Sequence, residues 1–115
     1  MRKIEHIGIA VKDLEKSNEL FRKLIGKEHF KTEIVEGEGV ETSFFQVGET
    51  KVELLQATRP DSPIAKYLEK KSEGIHHIAF DVTDIHAEMA RLKEHLSLKK
   101  AFGNWKTNFP YRFII

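Results

Sequence analysis

His6-Ile7-Gly8-Ile9-Ala10-Val11-Lys12-Asp13-Leu14 and His77-Ile78-Ala79-Phe80-Asp81-Val82-Thr83-Asp84-Ile85 decide the fold, because the second repeats the first at a fixed offset of 77 − 6 = 71. His, Ile, Val and Asp recur identically, and Gly against Ala, Ile against Phe and Leu against Ile are close in kind. Four identities in nine positions with matched chemistry mark an internal duplication. Each copy reads as a strand followed by a helix. Ile7, Ile9 and Val11 alternate with His6, Gly8 and Ala10, the period-2 pattern of a strand with two unlike faces. In the second copy, Ile78, Phe80 and Val82 alternate with His77, Ala79 and Asp81. The bulky face suits packing under a helix, and the other carries one His followed by small or polar side chains, which leaves room for a ligand.

Outward from these strands, Asp13 suits the N-cap of a helix running to about Ile25, with Gly26 as its stop. Leu14, Leu20, Phe21, Leu24 and Ile25 are its expected inner stripe. Asp84 repeats the cap, and Ile85, Met89, Leu92 and Leu96 repeat the stripe. Residues 28–35, 40–47 and 51–56 read as strands, separated by the turns 36–39 and 48–50. Ser62-Pro63 reads as N-cap and first residue of a helix to about residue 70. The expected architecture is one α+β domain of paired βαβββ modules with the second incomplete: module one at about 4–58, a connecting helix at about 62–70, partial module two at about 75–115.

Composition narrows the function classes. The 115 residues carry 19 Lys plus Arg against 18 Asp plus Glu, a net charge of +1 that gives no argument for nucleic acid or an anionic membrane as partner. Without Cys, thiolate metal sites, disulfides and cysteine nucleophiles are excluded. Residues 1–6 meet charge at once and lack the apolar core of a signal peptide, so a cytoplasmic protein is expected. No Gly-x-Ser-x-Gly motif supports a serine nucleophile, and Gly37 and Gly39 lack the context of a dinucleotide loop.

Two histidines at equivalent places of a duplicated strand meet if the copies pack about a pseudo-twofold axis. Glu53 lies on the last strand of module one, and its mate falls at 53 + 71 = 124. His6, Glu53 and His77 are a mixed nitrogen and oxygen set suited to a borderline divalent metal such as Co, Mn, Ni or Zn. The same three residues equally read as two hydrogen-bonded core histidines and a surface carboxylate. Gln46 is an alternative ligand. His76 adjoins His77 and is expected on the opposite face, and His29, His86 and His95 are expected to be exposed.

The strand 6–11, the segment 47–55, Asp-Ser-Pro-Ile-Ala-Lys at 61–66 within 60–70, and Gly-Ile-His-His-Ile-Ala-Phe at 74–80 closely resemble the methylmalonyl-CoA epimerase family. That family belongs to the vicinal oxygen chelate superfamily, with glyoxalase I and the bleomycin-resistance proteins. The resemblance runs from about residue 4 to residue 94 and implies a cup-shaped sheet with a divalent metal, often cobalt, on its concave face. The family's metal histidines match His6 and His77, and its Gln or Glu ligand matches Glu53. The implied reaction is a 1,1-proton transfer at C2 of methylmalonyl-CoA, an acyl-CoA thioester, through a metal-stabilised enolate. A homodimer is also implied. The family's loop carboxylate falls on Gly37, so its flanking residues Glu36 and Glu38 are the candidate bases. No Asp or Glu follows Glu94, which leaves the family's last metal ligand unmatched and residues 95–115 reading as an atypical tail. A glyoxalase I-like lactoylglutathione lyase is the alternative enzyme, and a metal- or ligand-binding member without turnover the alternative of another class.

Overall fold

The computed structural model describes residues 1–95, 106–108 and 112–114. Its elements follow the order β1 (Lys3–Ala10), α1 (Leu14–Ile25), β2 (Lys31–Val35), β3 (Val40–Val47), β4 (Thr50–Ala57), α2 (Pro63–Lys71), β5 (Gly74–Asp81), α3 (Ile85–His95), β6 (Lys106–Asn108) and β7 (Arg112–Ile114). One mixed sheet joins the strands in the order β2-β3-β4-β1-β5-β7-β6. β1 runs parallel to β4 and antiparallel to β5.

The register of β1 on β5 shows the duplication as symmetry. Ile7 stands opposite Ile78, its own mate at 7 + 71 = 78. The flanking pairs, Gly8 with His77 and His6 with Ala79, exchange under the same shift. A pseudo-twofold axis therefore passes between Ile7 and Ile78. On the far side of β5 the symmetry stops. Parallel pairing like that of β1 with β4 would place the counterpart of Glu53 beside Ala79, whereas β7 runs antiparallel there and puts Ile114 opposite Ala79.

The helices begin and end where the sequence directs. Asp13 accepts from the Lys16 amide at 3.2 Å, and Gln56 accepts from the Leu14 amide at 2.6 Å, so two of the first orphan donors of α1 are satisfied. Gly26 closes the helix at φ 91°, a conformation that costs a residue without Cβ little. Leu14, Val11, Phe45 and Leu54 form the core beneath α1, with Phe21 and Ile25 packed against it. Leu20 and Leu24 are instead 62% and 73% exposed. At about 100° per residue, Phe21 and Ile25 fall within roughly 20° of Leu14, while Leu20 and Leu24 fall roughly 120° and 80° away. The five-residue stripe was too wide, and three of its members make the core contact.

Val82, Ile85 and Leu92 repeat the arrangement under α3. Leu96, expected on the same stripe, lies outside the described residues, as do Phe102, Trp105, Phe109 and Tyr111. On the opposite sheet face, Ile64, Tyr67 and Leu68 of α2 pack on Ala10, Val40 and Leu55. Among the described residues no helix is long and apolar enough to cross a membrane. Ser62, fully buried, caps α2 by accepting from the Ala65 amide at 3.0 Å. Ser62→Ala is expected to cost about 1 kcal/mol, read as a lower urea midpoint with an unchanged denaturant slope.

Candidate active site

The sheet register sets out the site before any side chain is considered. Phe44, Glu53, Gly8 and His77 stand in one row across β3, β4, β1 and β5. Lys51, His6 and Ala79 form the next row on the same face. Strands lie about 4.8 Å apart, so Glu53 and His77 flank the open backbone of Gly8. A Cβ on Gly8 would come within 2.3 Å of the His77 ring. The absence of a side chain at position 8 is therefore what lets His77 lie across β1 toward His6. Gly8→Ala is expected to turn the His77 ring away while leaving the sheet intact. Loss of contact shifts between the two imidazoles in NMR, with an unchanged far-UV spectrum, would show it.

His6 and His77 meet as the duplication requires. Their Nε2 atoms are 2.9 Å apart, and the rings stand edge to face at 5.0 Å between centroids. His6 is 8% exposed and its Nδ1 lies 2.9 Å from a Glu5 oxygen and 3.3 Å from a Glu53 oxygen. Lys51 reaches to 3.7 Å from the other Glu5 oxygen. Glu5, His6 and Glu53 each offer a ligand atom within 4.8 Å of the others.

Glu5 was absent from the sequence reading, and His76 was assigned to the wrong face; a β-bulge explains both. The partner of β1 moves from Phe80 at Ile4 to Ala79 at His6, so Glu5 is the extra residue. The partner of β5 moves from Ile75 at Ile9 to His77 at Gly8, so His76 is the extra residue on its strand. A bulge breaks the strict alternation of faces, so that two consecutive side chains reach one side. Glu5 thereby touches His6, and His76 Nδ1 lies 3.0 Å from His77 Nδ1. Tyr67 holds the His76 ring edge-on at 5.0 Å. A polar residue before each repeated histidine, at 5 and 76, was the available signal.

The remaining candidates are dispersed. Gln46 donates to the Gly48 carbonyl at 2.8 Å and so serves the β3–β4 turn. His29 is half-buried against Phe45 at 5.7 Å rather than exposed, whereas His86 and His95 are exposed as expected. Glu36 and Glu38 are exposed in the β2–β3 turn, whose carbonyls at Glu36 and Gly37 accept from Arg59. Phe44, in the row of Glu53, is four residues along β3 from Val40 at the turn, a distance along the strand of about 13 Å.

The donor set fits a divalent cation. At 2.9 Å the two Nε2 atoms share a hydrogen, one ring donating to the other, where a metal ion would instead take a lone pair from each. Two nitrogens each ~2.0–2.1 Å from one ion and at a right angle to each other lie about 2.9 Å apart, and the His6 to His77 separation is 2.9 Å. Glu5 and Glu53 supply hard oxygen donors on the Nδ1 side of His6.

The duplicated strands, the shared sheet and the paired histidines define a class, and the comparison with known families agrees. The chain belongs to the glyoxalase/bleomycin resistance protein/dioxygenase superfamily, whose family model matches residues 5–106. Among its relatives, the ethylmalonyl-CoA/methylmalonyl-CoA epimerase of Cereibacter sphaeroides is 41% identical over 93 residues, covering 80% of this chain and 69% of that one. The human mitochondrial methylmalonyl-CoA epimerase is 38% identical over 93 residues, covering 80% of this chain and 53% of that one. The chain thus spans about half the length of the mitochondrial relative. A Streptomyces coelicolor methylmalonyl-CoA epimerase variant in complex with 2-nitronate-propionyl-CoA superposes with a TM-score of 0.68 at 37% identity, covering 82% of this chain and 71% of that one.

Proposed function

We propose that this protein interconverts the epimers of methylmalonyl-CoA by moving the C2 proton, with a divalent metal held by His6, Glu53 and His77. The observation that carries the reading is the pair of Nε2 atoms at 2.9 Å above Gly8, with two carboxylates at His6 Nδ1, in a chain whose relatives include epimerases. A bound cation, cobalt in first place with Mn, Ni or Zn as alternatives, would act as a Lewis acid toward the thioester and carboxylate oxygens of an acyl-CoA substrate. His6 and His77 fix where those oxygens sit, and Gly8 keeps the space between them clear. Glu36 or Glu38 is the candidate general base on one face, once the β2–β3 turn and the substrate come within hydrogen-bond reach. Exposed Leu20 and Leu24 on α1 and exposed Phe30 before β2 supply apolar surface for a homodimer.

The deciding experiment is incorporation of deuterium at C2 of methylmalonyl-CoA from heavy water, with and without added Co²⁺. Exchange that depends on the metal supports the proposal; its absence at full metal occupancy overturns it. Such metal uptake without exchange selects the second reading, a binding member without turnover, which the antiparallel β7 with Ile114 beside Ala79 favours. Exchange confined to a glutathione hemithioacetal would select the lyase.

A further inference from the structure

We propose that Glu5 and His76 are a symmetry-related pair of positioning residues, each binding Nδ1 of the neighbouring histidine so that both Nε2 atoms are presented to one ion. The inference rests on the reading of His6 and His77 as ligands and adds to it the residues that orient them. Its basis is that the bulge itself is duplicated. The extra residues stand at 5 and 76, and 5 + 71 = 76. The same axis that exchanges His6 with His77 therefore exchanges Glu5 with His76. Each extra residue contacts Nδ1, and the two Nε2 atoms face one another at 2.9 Å.

The chemistry follows from what each partner can accept. A carboxylate is acceptor only, so a Glu5 oxygen at 2.9 Å requires His6 Nδ1 to carry the hydrogen. That leaves the lone pair on His6 Nε2, the nitrogen turned toward His77. A neutral imidazole has one donor nitrogen, so His76 accepts on Nδ1 from His77 when its own hydrogen sits on Nε2. The edge-on Tyr67 ring holds His76 in the orientation this bond needs. The two sides are unlike in strength, since a bond to an ionised acceptor is the stronger. Glu5 is also nearer than Glu53 to His6 Nδ1, at 2.9 Å against 3.3 Å.

The test compares the parent with Glu5→Leu, Glu5→Gln and His76→Phe by two readouts. The first is the Nδ1–H signals of His6 and His77 in ¹⁵N-histidine-labelled protein, metal-free for His6 and with Zn²⁺ for His77. The second is Co²⁺ affinity from the visible absorption of the bound ion. The parent should show the His6 Nδ1–H signal without metal, and both Nδ1–H signals once diamagnetic Zn²⁺ takes the two Nε2 lone pairs. Glu5→Leu should lose the His6 signal alone and bind Co²⁺ ~10–100-fold more weakly. Glu5→Gln, whose amide oxygen still accepts, should keep the signal and stay within a few-fold of the parent. His76→Phe should lose the His77 signal alone, and it carries the test if Glu5→Leu fails to fold. Persistence of the His6 signal in Glu5→Leu overturns the proposal, and its persistence with Co²⁺ binding abolished would make Glu5 a ligand instead. A parent that takes up no Co²⁺ overturns the ligand reading, while the metal-free His6 signal still decides what Glu5 does.

Discussion

His77→Ala is expected to abolish stoichiometric Co²⁺ binding with little loss of stability. Removing one of two nitrogen ligands should exceed the ~10–100-fold loss typical of an outer partner. The ring is half-buried and lies across Gly8, so its removal opens space toward the concave face without emptying an apolar core. His6→Ala should also end binding but at a cost in stability. His6 is 8% exposed and stands within contact of both Glu5 and Glu53. Deleting it leaves two partly buried carboxylates without the partner they share, a disfavoured arrangement for charged groups. The contrast makes His77→Ala the cleaner experiment. Equilibrium dialysis with elemental analysis, beside a urea titration of each variant, measures both effects. Full occupancy in His77→Ala would remove it from the ligand set.

The repeat at an offset of 71 made the strand pairing legible, because two equivalent strands in one sheet can place equivalent histidines together only across a twofold axis. His6 and His77 were accessible for that reason, and their alternation with Gly8 and Ala79 marked the open face. Glu53 stood on the last strand of module one and matched the ligand that the resemblance implies, while its place beside Gly8 came only from the sheet register. Glu5 and His76 were hidden by the alternation rule itself. A period of two assigns neighbours to opposite faces, and only the register of the assembled sheet shows where one strand carries an extra residue. The far side of β5 was hidden for another reason. Residues 106–108 and 112–114 pair as strands, but the repeat does not reach them to set their direction. The inner face of α1 was readable to within its width, with Leu14, Phe21 and Ile25 inside and Leu20 and Leu24 outside.

Glu36→Gln or Glu38→Gln is expected to slow C2 proton exchange by ~10²–10⁴-fold, the usual contribution of one positioned general acid or base. The turn that carries both residues is held in one shape. Glu38 and Gly39 donate amide hydrogen bonds to the Val35 and Glu36 carbonyls at 3.1 Å each. Gly39 adopts φ 64°, and a Cβ there would meet the Arg59 side chain at 2.9 Å. Arg59 in turn donates to the Glu36 and Gly37 carbonyls. With the turn fixed, only the carboxylate that reaches the substrate should matter, so one substitution should act and the other should not. Epimerisation also needs a proton path on each face of C2. The measurement is deuterium incorporation at C2 for each epimer separately, in the parent and in both variants at equal metal occupancy. Rapid epimerisation by the parent that neither substitution slows would place the base elsewhere, with Glu5 and Glu53, the carboxylates beside His6, as the next to replace.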